Sequence, residues 1–68
     1  MPIINVTLAQ GRTPEQLRAL ISALTNAAME SIQASKSSVR VILNEVPRTH
    51  FAAGDETLAE RDMGRNTQ

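Results

Sequence analysis

The sequence predicts an α+β subunit in two layers. A βαβ unit with parallel strands is followed by a short C-terminal hairpin or arm, and the whole is completed by oligomerisation. Three observations carry this: an alternating apolar stretch opens the chain, a capped run of helical periodicity follows, and a β-branched stretch comes after that. A strand, a helix and a second strand in that order give parallel strands joined by a crossover, right-handed in nearly all known cases.

The first strand is expected over Ile3 to Leu8, with Ile4, Val6 and Leu8 on one face and Ile3, Asn5 and Thr7 on the other. Gln10-Gly11-Arg12 breaks the alternation. Thr13-Pro14-Glu15-Gln16 then spells a helix start: Thr13 as N-cap, Pro14 at the first helical position, Gln16 closing a capping box. From Pro14 to about Ala34 no Gly or Pro intervenes, and Leu17, Leu20, Ile21, Leu24, Ala28 and Ile32 recur on one stripe. Such a helix is about 30 Å long and suits a position across a sheet. Ser35 to Ser38 form a polar connection, and Val39 to Val46 read as the second strand, stopped by Pro47. Ala52-Ala53-Gly54-Asp55-Glu56 is a turn signal; Thr57-Leu58-Ala59-Glu60 after it reads as too short for an element of its own, so this part is expected to form a hairpin or an arm on a neighbour. The chain is expected to be one domain over residues 1–68, with a disordered tail from about 62 to 68.

Size and composition narrow the rest. A 68-residue chain hides only about 60% of the surface its unfolded form exposes, so its own core is marginal. The chain contains no cysteine, and its single histidine, His50, has no partner at zinc spacing. Disulfides and structural metal are thereby excluded as supports, and oligomerisation remains. With Phe51 the sole aromatic residue, the core must be aliphatic. Seven basic and seven acidic side chains cancel, which argues against a nucleic-acid or membrane partner recruited by long-range charge. No apolar run approaches the roughly 18 residues of a membrane span, and no signal sequence opens the chain, so a cytoplasmic location is expected.

Most catalytic classes fall away: there is no cysteine nucleophile, no glycine-rich phosphate loop before a helix and no serine in a nucleophile elbow. What remains is an amine, arginines and acids. Pro2 becomes the N-terminal residue once Met1 is removed, and then carries a free secondary amine able to act as a base. Arg40 occupies the interior of an apolar strand, where a guanidinium is costly unless it is paired or lines a cavity; read alone it is a surface arginine on the outer strand face. Arg12 follows Gly11 at the carboxyl end of the first strand, where α/β proteins bind ligands. Phe51 reads as a core or interface anchor and His50 as a surface or hydrogen-bonded residue. A free proline amine, two arginines suited to carboxylates and one apolar ring together suit proton transfer on an acidic, enolisable substrate.

The opening Pro2-Ile3-Ile4-Asn5-Val6-Thr7-Leu8, the Gly11-Arg12 turn with Thr13-Pro14-Glu15-Gln16, the Ser38-Val39-Arg40-Val41-Ile42 strand and His50-Phe51 before a glycine turn together resemble the 4-oxalocrotonate tautomerase family. The likeness runs from Pro2 to about Arg61 and rests on the ordered set rather than on any single motif. It implies that the processed Pro2 is the general base, that Arg12 binds a substrate carboxylate, that Arg40 binds the other end of the substrate and polarises its oxygen, and that Phe51 lines the pocket. It implies further a homo-oligomer, a hexamer arranged as a trimer of dimers with sites shared between subunits, turning over a small carboxylate substrate such as 2-hydroxymuconate in aromatic catabolism, with no metal or organic cofactor. The chain departs from the family pattern at Ala9, Gln10 and Gly54-Asp55, which bears on substrate choice.

Two rival readings follow from the same residues. A hydratase or dehalogenase of the same superfamily would need a further carboxylate near Ala53, which only Asp55 or Glu56 could supply. A non-enzymatic βαβ oligomer would keep Met1 and serve as a binding module. A ribbon-helix-helix DNA binder is disfavoured by the neutral charge and the absence of a second helix in this reading.

Overall fold

β1 (Ile3–Ala9) and β2 (Arg40–Val46) pair in parallel, Ile3 opposite Arg40 and Ala9 opposite Val46. This is a computed structural model, and it describes residues 2–66; Met1, on whose removal the role expected of Pro2 depends, and residues 67 and 68 of the expected tail lie outside that range. The alternation read from the sequence becomes a difference in exposure: Ile4, Val6 and Leu8 are half-buried, while Ile3, Asn5 and Thr7 are exposed. Arg40, Ile42 and Asn44 carry the same exposed face across β2. β1 runs one residue further than expected, and the Gln10 N–H donates to the Val46 carbonyl at 2.9 Å beyond its end.

α1 (Pro14–Ile32) starts where the capping residues place it. The Thr13 hydroxyl accepts the Gln16 N–H at 3.1 Å and the Gln16 side chain accepts the Thr13 N–H at 3.0 Å, satisfying two donors that a helix start otherwise leaves unpaired. α1 lies against β2, and its least exposed residue is Ala28. The helix stops at Ile32, short of the expected Ala34, because Gln33 turns into the left-handed region at φ 60. Ile32, expected on the packed stripe, is instead 62% exposed at the last position of the helix. A 3-10 turn at Lys36–Ser38 leads into β2; the Val39 N–H bonds back to Lys36 there, so the strand begins at Arg40 rather than at Val39.

After β2 the chain makes a second 3-10 turn at Arg48–His50, then a two-residue antiparallel hairpin, β3 (Ala52–Ala53) and β4 (Glu56–Thr57). Its central residues, Gly54 and Asp55, have φ 61 and 67, the positive pair that a tight primed turn requires. The expected hairpin is therefore present. The stretch read as too short for an element nevertheless opens α2 (Leu58–Asn66). A second capping box explains it: the Thr57 hydroxyl accepts the Glu60 N–H and the Glu60 carboxylate accepts the Thr57 N–H, both at 3.0 Å.

Little of this subunit is enclosed. Among the described residues only Ala9 and Ala28 are buried. The Cα radius of gyration is 15.7 Å, against about 11 Å for a compact chain of this length. The accessible surface is 5090 Å², against roughly 4,200 Å² expected of a folded monomer of this mass. The two-stranded sheet has helix on one face and exposed Ile3 and Ile42 on the other.

Candidate functional site

Parallel pairing decides which candidate residues meet. Pro2 and Arg40 stand together at the amino ends of the two strands, where the Arg40 N–H donates to the Pro2 carbonyl at 3.0 Å. Arg12 and Phe51 follow the carboxyl ends of β1 and β2. Seven residues of strand at ~3.3 Å each place about 20 Å between the two pairs. One chain therefore holds the four residues as two separated halves.

At the amino end, Pro2 is half-buried and Arg40 is exposed on the outer sheet face. The Arg40 guanidinium reaches back to the 3-10 turn and donates from Nη1 to the Ser37 carbonyl at 2.8 Å. The surface reading of this arginine thus describes its setting within one subunit. The guanidinium is held by a single neutral carbonyl, with no carboxylate bonded to it among the described contacts, so it keeps its charge available to an anionic group.

At the carboxyl end a groove of about 340 Å³ is lined by residues 7–9 of β1 together with Arg12, Arg48, Phe51 and Leu58. Gly11, at φ 134, lets the chain leave β1 and turn sharply into the cap of α1. That turn sets Arg12 at the groove mouth, where its Nη1 donates to the Ala9 carbonyl at 3.2 Å. Phe51 is half-buried, and its carbonyl accepts the Leu58 N–H at 2.9 Å, which draws the start of α2 over the same groove. The lining combines an apolar wall with two guanidinium groups, a chemistry suited to a carboxylate attached to an unsaturated carbon chain. His50 is exposed in the 3-10 turn and does not line the groove.

Arg48 is a groove residue that the sequence reading passed over. Its Nε and Nη2 donate to the two carboxylate oxygens of Asp62, at 2.6 and 3.2 Å. The available signal was its position: it follows Pro47 just past the end of β2, as Arg12 follows the end of β1. Its partner lies 14 residues further on, in an element that reading did not expect. A second cavity, of about 290 Å³ beside α1 and the first 3-10 turn, contains Arg18 and Lys36 and none of the predicted site residues. No helix among the described residues is long and apolar enough to cross a membrane.

Comparisons with known proteins bear on this arrangement. Residues 2–61 match the family described as Tautomerase enzyme. A Ralstonia nicotianae protein called "Probable tautomerase" is 45% identical over 69 residues, covering 100% of this chain and 99% of that one. The 2-hydroxymuconate tautomerase of Stutzerimonas stutzeri is 40% identical over 57 residues, covering 84% of this chain and 90% of that one. Among solved structures, the heterohexamer 4-oxalocrotonate tautomerase from Chloroflexus aurantiacus superposes with a TM-score of 0.85 at 37% identity, covering 88% of this chain and 97% of that one.

Proposed function

The chain belongs to the tautomerase family of enzymes, and on that premise we propose that it moves a proton between the enol and keto forms of an unsaturated 2-hydroxy or 2-oxo acid such as 2-hydroxymuconate. Pro2, freed by loss of Met1, is the general base. Its nitrogen takes the enol proton as the O–H bond breaks and the C=O bond forms, and the same proton then returns to a carbon of the conjugated chain. The step is redox-neutral and regenerates the amine. An arginine beside that nitrogen disfavours its ammonium form, which keeps it basic near neutral pH. Arg40 stabilises charge developing on the substrate oxygen, Arg12 holds a carboxylate, and Phe51 supplies an apolar wall.

The observation that carries the reading is the division of the four residues into halves about 20 Å apart within a chain. A single small acid cannot touch both. The amine and the carboxylate site act together only when Pro2 of one subunit meets the groove of another, so assembly is part of catalysis. The excess exposed surface, the bare Ile3 and Ile42 and the heterohexameric state of the Chloroflexus aurantiacus relative support a hexameric assembly.

The test is turnover of 2-hydroxymuconate and phenylenolpyruvate by protein whose intact mass shows loss of Met1. Protein retaining Met1 and the Pro2→Ala variant should each be slower by about 10²-fold or more. Unchanged rates in either form would remove Pro2 from the mechanism. The hydratase or dehalogenase reading predicts instead faster turnover of 3-haloacrylates than of enols. Ala53, exposed in β3, has no carboxylate with which to activate water.

A further inference from the structure

Arg48 and Asp62 form a fork-to-fork ion pair across 14 residues of sequence. Arg48 lines the groove beside Arg12 and Phe51; Asp62 does not. The family match ends at residue 61, so the pair joins a side chain inside the matched span to one just beyond it, on α2. The geometry points to Arg48 as a specificity residue of this groove, with Asp62 setting how much of its charge a bound acid experiences.

The inference rests on the groove being the carboxylate-binding half of the site, and it concerns how many carboxylates that half favours. Arg12 and Arg48 bring two positive charges to one groove, and Asp62 offsets that of Arg48. The bidentate contact takes two of the five N–H groups of a guanidinium and fixes the plane of the rest. With the pair intact, the groove presents one uncompensated cation and suits a single carboxylate. Both partners are about two-fifths exposed, 39% and 38%, so solvent reaches the pair and the stabilisation it brings to the fold is small. A bond of little structural worth that holds a cation against a groove acts chiefly through the field inside that groove.

Two variants break the same ion pair with opposite consequences for the field. Asp62→Asn leaves Arg12 and Arg48 both uncompensated. Arg48→Gln takes one cation away from the groove and leaves Arg12 as its remaining guanidinium. The measurement is the ratio of affinities for adipate and hexanoate, a dicarboxylate and a monocarboxylate of equal chain length, read by amide chemical-shift titration at Gly11, Arg12 and Phe51. Asp62→Asn should raise the dicarboxylate preference roughly three- to ten-fold, and Arg48→Gln should lower it by a similar factor. A merely structural role moves both variants the same way, because both lose the same bond, and that result overturns the inference; so does an unchanged ratio, or binding of neither acid at the groove. Because the readout is binding, it separates from turnover: a protein that binds both acids with the predicted ratios but tautomerises nothing sinks the proposed function and leaves the role of Arg48 standing.

Discussion

The N–H of Arg40 bonds to the carbonyl of Pro2 at 3.0 Å, which fixes these two residues at one end of the sheet while Arg12 stands beyond the other. Two inactive variants should therefore rescue one another. Pro2→Ala and Arg12→Ala chains, unfolded together and reassembled, mix at random. A site that takes its proline and its groove from different subunits is intact in about a quarter of cases at equal mixing. The mixed sample should recover about that fraction of wild-type activity, well above either variant reassembled alone. A mixture as inactive as its parents would mean that both groups come from one chain.

If the amine works beside an arginine, the pH dependence should report the charge of that neighbour. A base acts only when unprotonated, so activity rises with pH through the amine's titration. A nearby guanidinium opposes protonation and holds that rise at lower pH. Arg40→Ala should move the acidic limb of the kcat/KM profile to higher pH, and Arg40→Lys, which keeps the charge, should leave it nearly in place. Equal profiles in all three proteins would detach Arg40 from the amine, whatever happens to the absolute rates.

Ile3 and Ile42 are 59% and 46% exposed on the sheet face that no helix covers. A carboxylate introduced there is tolerated by a lone subunit and not by a packed interface, where an unpaired buried charge costs several kcal/mol. Ile42→Asp should shift sedimentation from the proposed hexamer to smaller species and lower activity in parallel. A hexamer that survives the substitution would place the contact elsewhere on the subunit.

What could be read from the sequence was what neighbouring residues encode. Thr13, Pro14 and Gln16 announce α1 within four positions, and the alternation of Ile4, Val6 and Leu8 announces the half-buried face of β1. The same logic was available for α2, since Thr57 and Glu60 repeat the capping-box spacing, but no apolar stripe follows Leu58 to draw attention to it. Arg48 was hidden for a different reason: its contact with Asp62 spans 14 residues and exists only because the hairpin folds α2 back. Nor does spacing along the chain say that Arg40 joins Pro2 at one end of the sheet while Phe51 joins Arg12 at the other. That follows from the parallel register of β1 and β2.

The second capping box gives a stability test of α2. Thr57→Ala removes the acceptor of the Glu60 N–H and should cost about 1 kcal/mol, within the usual 0.5–2 for such caps. Hydrogen exchange should quicken over α2 while α1 and β1 keep their protection, because α2 packs mainly on the second 3-10 turn and β4 rather than on α1 or the parallel sheet. Uniform loss of protection across the chain would show instead that α2 and the βαβ unit unfold as one.

Gln33 offers the converse case, a position where the sequence opposes the backbone. It ends α1 at φ 60, ψ 33, a conformation in which a side chain clashes with the following carbonyl and glycine does not. Its side chain donates to the Glu30 carbonyl at 3.3 Å, an exposed and long bond that returns little. Gln33→Gly should therefore stabilise the protein by about 0.5–1 kcal/mol even after the greater freedom glycine gives the unfolded chain. Thermal unfolding at fixed protein concentration measures it, since the melting temperature of an oligomer moves with concentration. A lower melting temperature would mean that the Glu30 contact outweighs the backbone strain.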